Sequence, residues 1–336
     1  MDRQASRPDR DIRELLHTLN QRYYQQWHRA ETMQRELDRL YRWVGPLVRG
    51  LRRVKRWLAP AAVDLGCDGR SYLPLAEADD AGNARVSIVI PFRDQSALLR
   101  NCLRSLRPAR RRIAEIVLVD NASRQPRTLR LLHRLAARRG FRVVRDPAPF
   151  NFSRLCNAGA RAATGDTLLF LNNDTEALTA DFLDRMLRVA AVPRVGVVGG
   201  TLLYPDGTIQ HAGLHPLADG RWAHSYRGLP FPPAGTPTGT VREVAAVTGA
   251  CLLVRRDLFA ALGGMDESLP FAYNDVEFCC RVRGRGLRVA VTPHARLLHY
   301  EGLSRGFSDE RPGVGPLVGR AFDAAGPTPD TAMTAG

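Results

Sequence analysis

The middle of the chain carries short apolar runs that alternate with segments of helical spacing. Four apolar runs predict strands: VSIVIP (86–91), EIVLVD (115–120), FRVVRD (141–146) and TLLFLN (167–172). Three segments between these runs predict helices: 95–107, 126–139 and 153–163. Strands that are apolar throughout and alternate with helices are typical of a parallel sheet covered on both faces. The pattern therefore predicts an α/β fold whose ligands bind beyond the carboxyl ends of the strands.

The two ends of the chain have different patterns. Apolar residues recur every three or four positions within residues 1–58, which predicts an amphipathic or coiled-coil helical extension at the N-terminus. Within it, residues 41–58 are purely basic with interleaved apolar side chains. This favours either an anionic membrane surface or a solvated helix that packs on its own domain. Residues 59–84 indicate a linker, and the Pro/Gly/Ala-rich residues 307–336 indicate a disordered tail.

Charge and composition narrow the class of partner. The 336 residues carry 49 Lys and Arg against 34 Asp and Glu, a formal net charge of +15, and Lys55 is the only lysine. This balance favours anionic partners, but no RNP-like, zinc or helix-turn-helix signature supports nucleic acid. No apolar run is long enough to predict a membrane span. The six cysteines show no CxxC or metal-finger spacing, so we expect reduced thiols in a cytoplasmic protein.

Polar residues follow three of the predicted strands at the point where each strand ends. Pro91 and Arg93 follow the first strand, Asp120 and Asn121 the second, and Asn172–Asp174 the fourth. One polar strand end is usually a helix N-cap, but three from one sheet favour a polar crevice of nucleotide size. The sequence has neither GxGxxG nor GxxxxGK[ST]. Phosphates in this crevice would need another counter-ion, most simply a metal.

Six longer motifs occur in one order along the chain: VSIVIPFRD, IVLVDNAS, NFSRLCNAGARAATGDTLLFLNNDTE, VTGACLLVRRDLFAALGGMDE, NDVEFCCR and HYEGLSRG. Together they resemble bacterial family 2 glycosyltransferases of GT-A fold. More narrowly, they are similar to the rhamnosyltransferase-like enzymes of O-antigen, capsule and other cell-surface polysaccharides. The resemblance covers residues 85–306, which we interpret as one domain.

The resemblance implies an inverting transfer of a sugar to an acceptor hydroxyl. The donor would be a UDP-, dTDP- or GDP-sugar, and the acceptor a glycan or a lipid-linked glycan. It implies Mg²⁺ or Mn²⁺ against the diphosphate. It also implies a cytoplasmic enzyme, with residues 41–58 as the part that would touch the inner face of the cell membrane. The alternative is a catalytically impaired relative that binds sugar nucleotides, because Asn172 stands where the family has a carboxylate and residues 307–336 lack the acidic, Trp-containing helix of such enzymes.

The metal and donor residues also follow from the resemblance. Asp174 and His299 match the metal-binding positions, and Asn172 stands where the family usually has a carboxylate, so weak metal affinity is expected. The alternative for Asp174 is a cap on a helix that starts near Thr179. The residues assigned to the donor and its nucleotide are Pro91, Arg93, Asp120, Asn121, Asn157, Asn172, Asn173 and Arg305.

The catalytic base implied by the resemblance is Asp275, since one positioned carboxylate suffices to take a proton from the acceptor hydroxyl. The alternative is that Asp275 only caps a helix predicted over 276–283. His211 in the segment TIQHAG is either structural or on the acceptor side. Residues 215–242 are rich in Gly and Pro and predict a mobile loop over that side.

Overall fold

The computed structural model describes residues 81–217, 221–231 and 239–300. The predicted helical extension, almost all of the predicted linker, Arg305 and the predicted tail lie outside these ranges. The described strands are β1 (Val86–Phe92), β2 (Ile113–Asp120), β3 (Phe141–Arg145), β4 (Thr167–Leu171), β5 (Thr175–Ala177), β6 (Val195–Leu203), β7 (Ile209–His211), β8 (Leu214–Pro216), β9 (Trp222–His224), β10 (Arg242–Glu243), β11 (Cys251–Arg255) and β12 (Arg288–His299). The described helices are α1 (Ser96–Ser105), α2 (Pro126–Ala136), α3 (Phe152–Ala162), α4 (Phe182–Ala190), α5 (Arg256–Ala261) and α6 (Asn274–Gly284).

One large sheet organises these elements. Its strand order is β10-β12-β6-β11-β4-β1-β2-β3, with β5 paired to β12 and β7 paired to β6, while β8 and β9 form a separate two-stranded sheet. The predicted strands β1 to β4 pair in parallel, as expected. The sheet is mostly parallel, which confirms the predicted GT-A architecture, and β11 is an exception that runs antiparallel to both β4 and β6. Apolar runs predict that a strand is buried, but they carry no information about its direction.

Both faces of the sheet are covered, as the uniformly apolar strands predict. Along β1, Ile88 and Ile90 belong to one hydrophobic cluster, whereas Val89 between them belongs to another. This alternation follows from the two-residue period of a strand. Helices α1, α2 and α4 supply apolar side chains to the first cluster, and α3, α5 and α6 supply them to the second. The result is a three-layer α/β domain.

Strand β6 was not predicted from the sequence, although it lies in the centre of the sheet. Its sequence VGVVGGTLL contains three glycines, a residue that strands usually avoid. The structure explains two of them by close packing: a Cβ at Gly199 would lie 2.7 Å from Val247 Cβ, and one at Gly200 would lie 3.0 Å from the Ala295 carbonyl oxygen. The glycines therefore serve tertiary contacts that the local sequence pattern does not show.

Replacing Gly159 in α3 with alanine is expected to destabilise the domain by about 1–3 kcal/mol, because the new Cβ overpacks a filled core. That Cβ would collide with the side chain of Val89 and lie 2.9 Å from Val119 Cγ2. Gly284 at the end of α6 is the matched control, since no atom lies within 4 Å of a Cβ placed there. Urea unfolding measures both changes. Equal stability of the two variants would contradict the packing argument.

Candidate functional site

The polar strand ends meet at one edge of the sheet. Strands β1, β2 and β4 are parallel and end at this edge, with Phe92 opposite Asp120. Strand β11 starts there, since Cys251 lies opposite Leu171. The backbone N–H of Asn172 donates to the carbonyl of Ala250 at 3.1 Å. The turn after β4 is thus held against residues that immediately precede β11.

Asp174 and His299 form the first functional pair. Strand β5 pairs with β12, which places His299 opposite Thr175, and the N–H of Tyr300 donates to the carbonyl of Asp174 at 3.0 Å. As a result, Asp174 Oδ1 lies 3.3 Å from His299 Nε2. The Asp174 side chain is 1% exposed and that of His299 is 12% exposed. The structure therefore brings together the two residues that the sequence predicts as metal ligands.

The alternative role of Asp174 as a helix cap is wrong. Helix α4 begins at Phe182 with Asp181 at its N-cap position, and Asp174 is followed by β5 instead. Asn172 contacts the same imidazole, because its Nδ2 lies 3.3 Å from His299 Nε2. The side-chain amide of Asn172 therefore helps to hold the imidazole of His299 in place.

The donor set at this pair suits a divalent cation. A carboxylate oxygen and an imidazole nitrogen converge within 3.3 Å, and Mn²⁺ accepts both ligand types. Within the described ranges, no group of three or more His, Cys, Asp or Glu side chains converges on one point. A cation held by Asp174 and His299 would need further ligands beyond these two side chains.

Asp120 and Asn173 each have a buried polar atom near this edge that forms no hydrogen bond with the described residues. Asp120 is 1% exposed; its Oδ1 accepts from the N–H of Ser123 at 2.9 Å, but its Oδ2 receives no hydrogen bond from the described residues and lies 3.9 Å from Arg145 Nη1. Asn173 Nδ2 is also buried without an acceptor among those residues. Buried polar groups are normally hydrogen-bonded. A polar ligand bound at this edge of the sheet would satisfy both the Asp120 acceptor and the Asn173 donor.

Asp94 shapes the same edge, a role that the sequence pattern did not show. Its carboxylate accepts from the N–H groups of Arg124 at 2.9 Å and Gln125 at 2.7 Å, and its own N–H donates to Ser123 Oγ at 2.7 Å. These bonds join the loop after β1 to the loop after β2. Asp94 and Gln95 both have left-handed backbone angles, with φ of 55° and 52°. The predicted donor residue Pro91 is buried in β1 and Arg93 is half-buried just beyond it.

Two predicted donor residues have their side-chain amides bound within the fold. Asn121 Nδ2 donates to the carbonyls of Asp146 at 3.1 Å and Ala148 at 2.8 Å. Asn157 Nδ2 donates to the Met265 carbonyl at 2.8 Å, while its Oδ1 accepts from the Met265 N–H at 2.8 Å. These contacts hold loops that surround the edge, which is a structural role for both side chains.

Asp275 lies in the first turn of α6, which begins two residues earlier than predicted, at Asn274. Its Oδ2 accepts from the N–H of Gly249 at 2.8 Å, and its Oδ1 accepts from the N–H of Val276 at 2.9 Å. The N-cap position is occupied by Tyr273 with φ of 62° and no side-chain cap bond. The cap-only interpretation of Asp275 is therefore wrong.

The environment of Asp275 suits a proton acceptor. Burial raises the pKa of its carboxyl group above the ordinary value, and the hydrogen bonds from Gly249 and Val276 oppose that rise. The residue is half-buried and not fully enclosed. Gly249 is followed by Ala250, which binds the backbone of Asn172. A continuous set of contacts thus joins Asp275 to the Asp174–His299 pair.

His211 is structural, which decides between its two predicted roles. It is fully buried, and its Nδ1 lies 2.9 Å from Nδ1 of His224. Its Nε2 accepts from the N–H groups of Gly213 and Thr248, both at 3.4 Å. Burial lowers the pKa of His211 well below its ordinary value and that of His224 to about 3. Both rings are therefore neutral at physiological pH.

The segment 215–242, predicted as a loop, contains the strand β9, and Trp222 in that strand is buried.

Lowering the pH from 7 to 5 is expected to reduce the free energy of unfolding through these two histidines. In the fold they stay neutral, whereas in the unfolded chain they gain protons below a pKa of about 6.5. Their stabilisation is complete above that pH and is lost below it, by about 1.4 kcal/mol per pH unit for each extra proton bound by the unfolded chain. Positive charge on Arg242 also lowers the pKa of His211, and positive charge on Arg227 lowers that of His224. The nearby imidazole of His299 lowers both pKa values, and that of His215 lowers the pKa of His224.

Urea unfolding at several pH values between 5 and 7 measures this slope. His224→Gln should make the slope shallower, because one of the two titrating groups is gone. His133→Gln is the control, since His133 is exposed on α2 and should not alter the slope. An unchanged slope in His224→Gln would contradict the prediction.

The remaining features concern the surface and the thiols. The five described cysteines are free and buried, and burial raises the pKa of Cys102 and Cys251 to about 12, so these thiols stay protonated. Cys67 lies outside the described ranges. Among the helices that the structure describes, none has the length and apolarity needed to cross a membrane.

Comparisons with solved structures place the fold. GalNAc-T7 with UDP, GalNAc and Mn²⁺ matches with a TM-score of 0.56 and 20% identity, over 68% of this chain and 45% of that one. The mannosyltransferase PcManGT of Pyrobaculum calidifontis, in complex with GDP-Man and Mn²⁺, matches with a TM-score of 0.50 and 17% identity, over 88% of this chain and 85% of that one. The domain has the GT-A fold that the sequence predicted.

Comparisons of sequence are more specific. The chain is 40% identical to the O-antigen biosynthesis protein RfbC of Myxococcus xanthus over 228 residues, which are 67% of this chain and 18% of that protein. It is 30% identical to the N-acetylglucosaminyl-diphospho-decaprenol L-rhamnosyltransferase of Mycobacterium tuberculosis over 140 residues, 37% of this chain and 44% of that enzyme. The chain thus spans less than half the length of these relatives. The model of the family "Glycosyl transferase family 2" matches residues 87–263, more than half of the chain, and the chain belongs to that family.

Proposed function

We propose that the protein is an inverting glycosyltransferase that moves a sugar from a nucleotide-diphosphate-sugar to an acceptor hydroxyl. The observation that carries this proposal is the continuous set of contacts from Asp275 through Gly249 and Ala250 to Asn172 and His299. A proton acceptor and a candidate cation site are thereby held in one rigid frame. The names of the relatives support a role in cell-surface glycan synthesis.

The nucleotide would lie over the ends of β1 and β2. Asp120 Oδ2 is a buried acceptor without a donor from the described residues, which suits a ring N–H or a ribose hydroxyl. Asp94 holds the two surrounding loops together, so that this acceptor is fixed before the donor binds. Arg93 and Arg305 carry positive charge suited to a diphosphate. UDP-, dTDP- and GDP-sugars all offer these groups.

The diphosphate would lie against the Asp174–His299 pair. These two side chains would hold Mg²⁺ or Mn²⁺, and Asn173 Nδ2 supplies a buried N–H donor at the same turn. When bound, the cation would neutralise the negative charge that develops on the leaving diphosphate. Asn172 supports the imidazole of His299, so the amide at this position gives no reason to expect an inactive relative.

Asp275 would act as the general base. As the acceptor oxygen attacks the anomeric carbon from the face opposite the diphosphate, its proton passes to a carboxylate oxygen of Asp275. The bond between that carbon and the diphosphate oxygen breaks, and the configuration inverts. The N–H bond from Gly249 keeps the carboxylate in place, and its raised pKa favours acceptance of the proton. The acceptor would be a glycan or a lipid-linked glycan.

Purified protein with a panel of UDP-, dTDP- and GDP-sugars and Mn²⁺ tests the proposal. We expect release of the nucleoside diphosphate from one donor, increased by a glycan acceptor and lowered by EDTA. Nucleotide binding by calorimetry without hydrolysis or transfer from any donor would instead support the impaired relative that binds sugar nucleotides.

A further inference from the structure

Gln210 in β7 contacts His299 at two points. Its Oε1 lies 2.6 Å from Nδ1 of the imidazole, and its Nε2 donates to the backbone carbonyl of His299 at 3.3 Å. Gln210 is 3% exposed. The sequence pattern singled out His211, its neighbour, but gave no role to Gln210. A buried amide that binds both the ring and the backbone of one residue restricts where that residue can point.

The direction of these contacts selects one form of the imidazole. Because the amide nitrogen of Gln210 faces a carbonyl, its oxygen faces the ring, and that oxygen can only accept a hydrogen bond. His299 Nδ1 must therefore carry a proton. On the other side of the ring, Asn172 Nδ2 donates to Nε2 at 3.3 Å, which requires a lone pair at Nε2. Together the two amides stabilise the neutral tautomer with hydrogen on Nδ1.

In this tautomer the lone pair of Nε2 lies beside a carboxylate. Asp174 Oδ1 is 3.3 Å from Nε2, so in this tautomer two electron-pair donors face each other. Such an arrangement is unfavourable until a positive charge is placed near both atoms. Ligating histidines in proteins are commonly held by a hydrogen bond at the other ring nitrogen, which fixes the tautomer and raises ligand basicity.

We propose that Gln210 is a positioning residue that holds His299 in the Nδ1–H tautomer, with Nε2 directed toward a divalent cation shared with Asp174. The inference rests on the proposed function for the identity of the cation, but the tautomer itself does not depend on it. Loss of such outer contacts typically weakens metal affinity by about 10- to 100-fold, and we expect the same here.

The pairing of β6 with both β7 and β12 brings Gln210 close to His299. Strand β7 pairs with β6, where Leu203 lies opposite Ile209, and β6 pairs with β12, where Leu203 lies opposite Leu298. Gln210 and His299 therefore follow neighbouring positions on either side of β6. Sites held by regular elements are more exact than sites held by loops, so this contact can fix a ring orientation.

The tautomer is measured directly in metal-free protein by long-range ¹H–¹⁵N NMR of labelled histidine, with His299→Gln to assign the signal. We expect the Nδ1–H form of His299 in the unaltered protein and in Gln210→Glu, whose carboxylate still accepts from Nδ1. Gln210→Leu should give a mixture of forms. Mn²⁺ titration followed by EPR should show about 10- to 100-fold weaker binding in Gln210→Leu and a smaller loss in Gln210→Glu.

Thr128→Val is the matched control, because Thr128 is a fully buried polar residue in α2, outside the site; its Mn²⁺ affinity should equal that of the unaltered protein. The Nε2–H form in the unaltered protein would overturn the proposal. So would a folded Gln210→Leu with unchanged tautomer and Mn²⁺ affinity. If that variant does not fold, loss of the Nδ1–H form in Gln210→Glu decides against the proposal, and its retention supports it. Absence of sugar transfer with an intact Nδ1–H form would reject the proposed function alone.

Discussion

Asp275→Asn is expected to lower kcat by about 10²- to 10⁴-fold, the range that a positioned general base contributes. Asparagine can still accept the N–H of Gly249 through its amide oxygen, so the loop at 248–250 should keep its geometry, while the hydrogen bond from the N–H of Val276 is lost. It cannot accept a proton at neutral pH. Nucleotide affinity should change little, because the contacts proposed for the nucleotide lie at Asp120 and the ends of β1 and β2. Steady-state kinetics together with nucleotide calorimetry separate the two effects.

Glu277→Gln is the matched control on the same helix. Both oxygens of Glu277 are bound by Arg281, at 2.6 Å from Nε and 2.7 Å from Nη2, so this carboxylate is not available to a substrate. Its replacement should leave kcat within a few-fold of the unaltered enzyme. If Asp275→Asn turned over at the wild-type rate, another group would have to be the base.

The pH dependence provides a second readout of the same residue. Burial raises the pKa of Asp275, so the acidic limb of kcat/KM should lie above the pKa of about 3.9 for an ordinary aspartate. The carboxylate is the active form, so activity falls as pH drops through that raised value. An acidic limb of kcat/KM at the ordinary aspartate pKa of about 3.9 would contradict its assignment to Asp275.

Asp174→Ala is expected to abolish detectable Mn²⁺ binding and Mn²⁺-dependent donor binding. The variant removes the carboxylate of the pair, whereas His299→Ala removes the imidazole and should cost less. Mn²⁺ titration by EPR and donor calorimetry with and without Mn²⁺ measure the two losses.

Asp184→Ala is the control for the loss of one carboxylate. Asp184 binds Arg112 at 2.6 Å on the outer side of α4 and is 35% exposed. Its replacement should leave Mn²⁺ affinity unchanged. Wild-type Mn²⁺ affinity in Asp174→Ala, in protein shown to be folded by its melting curve, would remove Asp174 from the proposed cation site.

The predictions from sequence succeeded where a local pattern carries the physical cause. The four apolar runs became β1 to β4, because burial on both faces leaves a uniform apolar run. Asp174 and His299, the two predicted metal ligands, lie 3.3 Å apart because Asp174 follows β4 and His299 ends β12 at the same edge. The existence of β6 was not predicted, because its glycines are selected by neighbours such as Val247 and not by strand propensity. The direction of β11 was not predicted, because apolar runs carry no information about direction.

The sequence by itself determined the α/β class, because apolar periodicity follows from burial. Its motifs indicated the family by resemblance, and with the family the residues of the proposed chemistry. Only the tertiary structure decided how those residues are held. Asp94 reaches Gln125, Gly249 reaches Asp275, and Gln210 reaches His299. Each contact joins segments that are distant along the chain, and its geometry follows from strand order and register, which no local pattern encodes.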